Sequence, residues 1–279
     1  MIAAQRPALY HGGDAPISRA ADRVMLAIPA GRYVAGSTPE EREQAYQDYR
    51  DTAGHDAARA GRWFNSEADR HLETSASYHI DLTPVTNGAY AEFLRDTNAR
   101  PPRVDPATWA AQGFQQDFES EVDRFNWTSS SPPVGREEHP VVLVTWEEAD
   151  RYCQWRGALV GEARRLPTEG ELERAARGDH GVIYPWGNTF EPDRLNSRVS
   201  GPGDTTPVGS YPRGASPHHM LDAAGNVFSW SSTPWRSRPG QRVVKGSAWD
   251  DFAGVGRGAS RHGRPVSIRH AIIGFRCAG

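Results

Sequence analysis

Trp249, Asp250 and Asp251 set an aromatic ring beside two adjacent carboxylates, and His262 and His270 follow downstream. Two imidazoles and a carboxylate are the donor set of a non-haem iron centre. His262, His270 and Asp251 are therefore one candidate redox-metal set, provided the fold makes them converge. Without a metal, Asp251 could act as a general base in a pocket walled by Trp249 and Trp230. The acidic pair also has a plainer reading, as a turn whose carboxylates cap neighbouring amides. Arg257, Arg261 and Arg264 lie in the same stretch. A guanidinium matches a substrate carboxylate geometrically, or it could form ion pairs with Asp250 and Asp251. Asp250, Asp251, Trp249 and Arg261 form the candidate catalytic group. His218 and His219 are a second histidine pair, and on an extended segment only one of them can face a given pocket. Each histidine alone also reads as a surface or hydrogen-bonded structural residue.

Composition narrows the classes of function. Charged residues are 24% of the 279 and the net charge is -3, which gives no footprint for nucleic acid or an anionic membrane. The expected partner is a small-molecule or peptide substrate. Lys245 is the only lysine in a chain rich in arginine. With 28 Gly, 21 Pro and nine Trp, the composition suits a loop-rich fold in which aromatic rings carry much of the burial. No stretch approaches the ~20 apolar residues of a membrane span. Residues 1–13 lack a continuous apolar core, so no secretory signal is read. The expected compartment is cytoplasmic, or periplasmic if the sequence is a processed chain.

These side chains need elements to position them. Residues 1–22 read as a polar arm and residues 23–279 as one domain. Val24–Ile28 predicts a strand, and Pro39–Ala60 a helix that Gly54 breaks. Tyr46, Tyr49 and Ala53 would form its apolar stripe. The insertion around Pro39 to Trp63, whose tip Arg59 to Phe64 is basic and aromatic, is a lid over a groove, a contact with a partner protein or a packed surface helix. Ser77–Asp81 and Val141–Thr145 predict strands. Helices are expected from Thr86-Asn87, from Trp146 and from Thr168, where Glu171 completes a capping box. Residues 105–131 show no clean period, and short strands and turns follow Gly178.

Several strings occur in an order that resembles the formylglycine-generating enzyme superfamily. They include Ile28-Pro29-Ala30-Gly31, Pro84-Val85-Thr86-Asn87, His139-Pro140-Val141-Val142 and Arg165-Leu166-Pro167-Thr168-Glu169. Further on come Pro185-Trp186-Gly187-Asn188, Gly225-Asn226-Val227-Phe228-Ser229-Trp230, Lys245-Gly246-Ser247-Ala248-Trp249 and Gly274-Phe275-Arg276-Cys277. The resemblance implies an irregular α+β fold related to C-type lectins, with little regular secondary structure. It also implies that the paired redox cysteines of the family are missing here, since their places fall on Asp251 and near Gly256. Sulfatase activation is accordingly not expected, because the thiolate ligands of that chemistry are absent.

Two further features follow from the resemblance. Cys153 and Cys277 occupy positions that pair in the family, as a disulfide or, in a reducing compartment, as packed thiols. Calcium is the other. One loop would use Asn196, Ser197 and Asp204, and a second would use Asp222, Gly225 and Val227, with Ser229 where the family has a glutamate. Both loops could instead be metal-free Asx turns. The resulting expectation is an oxidative tailoring enzyme acting on an amino-acid-derived or peptidic substrate, with or without a non-haem metal. The alternative is a non-catalytic binding module that retains the groove.

Overall fold

The computed structural model describes residues 24–114 and 117–279. The polar arm expected at residues 1–22 lies outside them. Strand β1 (Met25–Ile28) pairs antiparallel with β4 (Tyr78–Asp81), and β2 (Gly31–Ala35) pairs antiparallel with β3 (His71–Ser75). Between them run α1 (Pro39–Ala53) and the single turn α2 (Ala57–Ala60). Next come α3 (Asn87–Thr97), the short α4 (Pro106–Ala111) and α5 (Phe118–Glu121), then α6 (Trp146–Val160) and α7 (Glu169–Arg177). A four-stranded sheet closes the chain in the order β7-β6-β5-β8. Its strands are β5 (Phe228–Pro234), β6 (Gln241–Lys245), β7 (Arg261–Pro265) and β8 (Ile273–Gly274), with β8 parallel to β5 and the other pairs antiparallel. Among the described residues no helix is long and apolar enough to cross a membrane.

Helix starts follow local chemistry. Thr38, Thr145 and Thr168 each accept a hydrogen bond from the amide three residues on, and Glu41, Glu148 and Glu171 each accept one from the cap amide. Gly54 ends α1 with φ +74°, a conformation that glycine adopts without steric cost. The stripe of α1 is buried at Ala45, Tyr46 and Tyr49, so this segment is a packed helix. It lies across the loop after the acidic pair. The Tyr49 and Phe252 rings meet edge-on at 5.6 Å, and the Ala253 amide donates to Thr52 Oγ1 at 3.2 Å. At Gly254 a Cβ would sit 2.4 Å from the Ala45 carbonyl oxygen, so only glycine lets α1 come this close.

The predicted strand at 141–145 does not form. Leu143 has φ +60°, which interrupts an extended ladder, and the segment bonds singly to Val85 and to the His270 carbonyl. Its apolar residues still enter the core, beside the Tyr90, Phe93, Tyr152 and Phe275 rings. Cys153 of α6 and Cys277 are joined as a disulfide, which ties that helix to the C-terminal segment.

Buried charge is paired across long sequence distances. Arg156 Nη1 donates to both oxygens of Asp81 at 2.9 Å. Glu173 accepts from the Gly36 amide and Arg177 at 2.8 Å and from Lys245 at 3.1 Å. Arg257 Nη1 donates to Glu67 at 3.1 Å, and the Ser37 hydroxyl meets the same carboxylate at 2.6 Å. Removing one partner of such a pair leaves an uncompensated charge in the interior, which costs more than the pair contributes.

Candidate functional site

The turn bearing the acidic pair is held from several sides. The Trp249 amide donates to the Asn226 carbonyl at 3.1 Å, and the Arg198 amide to the Asp251 carbonyl at 2.9 Å. Asp251 Oδ2 accepts from the Ala248 amide at 2.8 Å, which fixes its carboxyl within the turn. The Trp249 indole stacks on Phe125 with centroids 6.2 Å apart and donates to the Ala271 carbonyl at 3.4 Å. Asp250 Oδ1 is buried and has no hydrogen-bond partner among the described residues. Asp250 lines a small cavity shared with Trp249, Glu121, Trp109 and His270, which has room for about one water molecule.

Burial pushes the Asp250 carboxyl up to about 6, the nearby Glu121 adding to the rise while Arg198 and Arg264 oppose it. Asp251 is raised well above the carboxylate range, through burial first and then the like charge of Asp250. Two adjacent acids in one site cannot both ionise freely, so the pair titrates as a unit and keeps a proton at higher pH than ordinary aspartates. Such a pair can hold a proton on one carboxyl while the other accepts one.

The two histidines go to separate aromatic settings. His262 packs edge-on against Phe228 at 5.4 Å and Trp63 at 6.3 Å. His270 packs against Phe114 at 4.2 Å and Trp109 at 5.0 Å. Burial, followed by the Arg264 charge, pushes both rings down to about 3, so each is neutral at pH 7. Of the expected redox set, only His270 lines the Asp250 cavity. Among the described residues no group of three or more His, Cys, Asp or Glu is placed to hold a metal ion. The set His262, His270 and Asp251 is therefore not assembled, because β7 and the loop after it direct the two rings into different packing.

Other expectations also shift. Arg261 does not join the acidic pair: its Nε and Nη2 grip Glu169 at 2.6 and 2.8 Å. Arg257 is committed to Glu67. Trp230 is fully buried and donates to the Val144 carbonyl, so the wall beside Asp250 is formed by Trp249 and Trp109 instead. His218 faces Asp179 at 3.4 Å, while His219 is exposed with φ +67°. Glu121, Trp109 and Phe125 were not singled out from the sequence, since they lie in the stretch without periodicity.

Residues 15–279 match the model of the sulfatase-modifying factor enzyme 1-like domain. The chain belongs to this family. It is 29% identical to the inactive C-alpha-formylglycine-generating enzyme 2 of Mus musculus, over 94% of this chain and 87% of that protein. It is 28% identical to the hercynine oxygenase of Mycolicibacterium smegmatis, over 81% of this chain and 58% of that longer protein. The structure of PvdO from Pseudomonas aeruginosa superposes with a TM-score of 0.66 at 21% identity, covering 91% of this chain and 93% of that one, and so shares the fold. The α+β architecture is that of this sulfatase-modifying factor family.

In this family member the loops expected to hold calcium carry guanidinium groups. Asp204 receives Arg136 Nη1 at 3.0 Å and a second bond from Nη2, with Arg124 Nε 3.6 Å away. The Ser197 carbonyl accepts from the Gly201 amide at 2.7 Å. Of the oxygens expected at this loop, Asn196 Oδ1 is buried without a partner among the described residues, and it is a single neutral ligand atom. At the other loop, Asp222 Oδ2 accepts from the Gly209 amide at 2.7 Å, and Arg276 Nη2 bonds the Asp222 carbonyl at 2.6 Å. Lys245 and Arg276 line the cavity that Asp222 shares with Val227, and Gly225 directs its amide to Ser247 Oγ at 2.8 Å. Calcium takes six to eight oxygens with strong anionic character. These residues do not fit it, because Arg136 pairs with the Asp204 carboxylate, the Asp222 carboxylate accepts from the Gly209 amide, and Arg276 takes the Asp222 carbonyl.

Proposed function

We propose that this protein is a tailoring enzyme of the sulfatase-modifying factor family that acts on an amino-acid-derived or peptidic substrate. Its proton-handling group is the Asp250–Asp251 pair. The observation that carries this reading is the buried Asp250 Oδ1, which has no donor among the described residues, on a side chain that lines a cavity with Trp249, beside a second carboxyl whose burial favours its protonated form. A buried carboxylate oxygen without a donor is costly for a fold to retain, and raised acid pairs of this kind concentrate at functional sites. The oxidoreductase class is supported by the relative named hercynine oxygenase. Formylglycine generation is not part of the proposal, because Asp251 and Gly256 stand where the resemblance places the redox cysteines. The test is a screen of amino acids and short peptides for mass change and oxygen uptake, with wild type and Asp251→Ala compared at equal melting temperature. Turnover that disappears in the variant supports the proposal, and turnover that persists refutes it.

A second reading, a non-catalytic binding module, is favoured by a different place in the molecule. A groove of about 640 Å³ runs between β2, β3, the start of α7 and the end of β5, lined by Tyr33, Glu73, Thr168, Glu169, Thr233 and Arg261 among others. It shares no residue with the Asp250 cavity. The mouse relative's description as inactive supports this reading as well. Saturable ligand binding with no turnover, unaffected by Asp251→Ala, would establish it.

A further inference from the structure

Between Asp222 and Asp250 the sequence has no acidic residue, yet it carries Arg236, Arg238, Arg242 and Lys245. Lys245 is paired with Glu173. Arg242, on β6, is half-buried and has no such partner. No carboxylate of the described residues lies within the 4.0 Å of an ion pair with it. Its Nε is enclosed without a hydrogen-bond partner among them. Arg124 and Arg164 also enclose an unbonded Nε, but each holds a carboxylate, at 3.6 and 3.2 Å. Strand pairing adds to the imbalance. Arg242 stands directly opposite Arg264 across the β6–β7 ladder, a relation in which like charges repel.

Arg242 lines an open cleft of about 270 Å³ together with Trp146, Trp235, Pro239, Val266 and Arg238. Both indoles are held in place. Trp146 Nε1 donates to the Ser231 carbonyl at 2.8 Å, and the Arg242 guanidinium lies 4.6 Å from the centre of the same ring. Trp235 is braced by Arg261, 4.7 Å from its ring centre, and by Gly263, where a Cβ would lie 2.5 Å from the indole. The Trp235 amide donates to the Gln241 carbonyl at 3.0 Å, which closes the turn between β5 and β6. Stacking on Trp146 orients Arg242, and a planar guanidinium offers a carboxylate two parallel donors. The indoles, Pro239 and Val266 supply apolar surface beside it. Glu147 lines the cleft as well. Two arginines against one glutamate leave a single positive charge, which suits a monoanion better than the near-dianion of a phosphate monoester.

We propose that this cleft is a binding site for a carboxylate borne on an aromatic or apolar group, with the carboxylate on Arg242 and the group against Trp146 and Trp235. Such a ligand compensates the one charge that the strand ladder leaves alone and covers the exposed ring surface in the same step. The cleft shares no residue with the Asp250 cavity, so the site stands or falls independently of the acid–base reading.

The test is an NMR titration of protein labelled with nitrogen-15 tryptophan, read at the Trp146 and Trp235 indole N–H signals. The probes are phenylacetate, phenylacetamide, acetate, phenyl phosphate and a short peptide ending in phenylalanine, its C-terminus free or amidated. Phenylacetate or the free peptide should shift both indoles. The corresponding amide should bind on the order of 10- to 100-fold more weakly, the loss of a charge-assisted bidentate contact. Tighter binding of the peptide identifies a chain end as the ligand, and tighter binding of phenylacetate a free acid. In Arg242→Gln the acid should weaken by the same factor and the amide should be unaffected, with Arg242→Lys between them. The site is disproved if no acid moves the two indoles, if acid and amide bind alike, or if Arg242→Gln binds the acid as the wild type does. Acetate binding as well as phenylacetate, or phenyl phosphate binding better, overturns the ligand class. If the Gln variant does not fold, the difference between acid and amide at the two wild-type indoles decides alone.

Discussion

Replacing Asp250 by Asn should make the protein more stable at neutral pH, and the size of the effect follows from its surroundings. Burial raises this carboxyl from 3.8 to about 6. A group whose pKa is raised on folding holds its proton in the native state where the unfolded chain has released it. Stability therefore falls as pH rises through 3.8, and the loss is complete once pH passes the folded value. At 1.36 kcal/mol per unit, ionising Asp250 costs the fold roughly 3 kcal/mol at pH 7. Asparagine keeps the volume and carries no charge. Because Asp250 Oδ1 has no donor, the substitution sacrifices no hydrogen bond there. It also removes the like charge that helps raise Asp251. Urea unfolding at half-unit steps from pH 3.5 to 7.5 should give curves that coincide in acid and diverge above about pH 4. By pH 7 the variant should be ahead by up to about 3 kcal/mol. Parallel curves, or a variant weaker at pH 7, would refute the view of the site as a buried, repulsive acid pair. A gain in stability at the cost of turnover is the signature of a residue retained for function.

Three further outcomes test the frame around the site. Glu67→Gln should destabilise by about 3–5 kcal/mol in denaturant titration, since it leaves the buried Arg257 guanidinium without its counter-ion. Breaking the Cys153–Cys277 bond, whose cysteines are 124 residues apart, should cost about 4–5 kcal/mol in the loop-entropy account, read as the shift between oxidised and reduced unfolding curves. Chelation should leave the melting temperature of the native protein unchanged and added calcium should not raise it, because Arg136 and Arg276 hold the two loops. A calcium-dependent rise would overturn that assignment.

Much of the local structure was legible in the sequence because helix starts are local events. Thr168 with Glu171 places a cap and its partner within one turn, and Pro39 and Trp146 open the helices read from them. Gly54 marked the end of α1 for the same reason. The apolar run at 141–145 misled, because one residue in a left-handed conformation, Leu143, turns a strand-like pattern into a buried irregular segment. Side-chain alliances were not legible. Glu67 reaches Arg257, Glu169 reaches Arg261 and Asp204 reaches Arg136 across long stretches of chain, and no spacing rule links them. The same limit applied to His262 and His270. Their closeness in sequence said nothing of convergence, since β7 and the loop beyond it turn the rings into different aromatic nests. Asp250 and Asp251 were visible as residues, but the lack of a donor to Oδ1 among the described residues belongs to the tertiary fold alone.

Lys245, the single lysine of these 279 residues, is 4% exposed and pinned to Glu173 beneath α7. The folded domain therefore offers no lysine amine to an acylating reagent. Each Lys245 that becomes labelled must come from a molecule whose β6–α7 junction has opened. Under brief exposure to an amine-reactive ester, the yield of that one modified peptide is a clock for core opening. Surface attachment through side-chain amines would, by the same reasoning, select for damaged molecules.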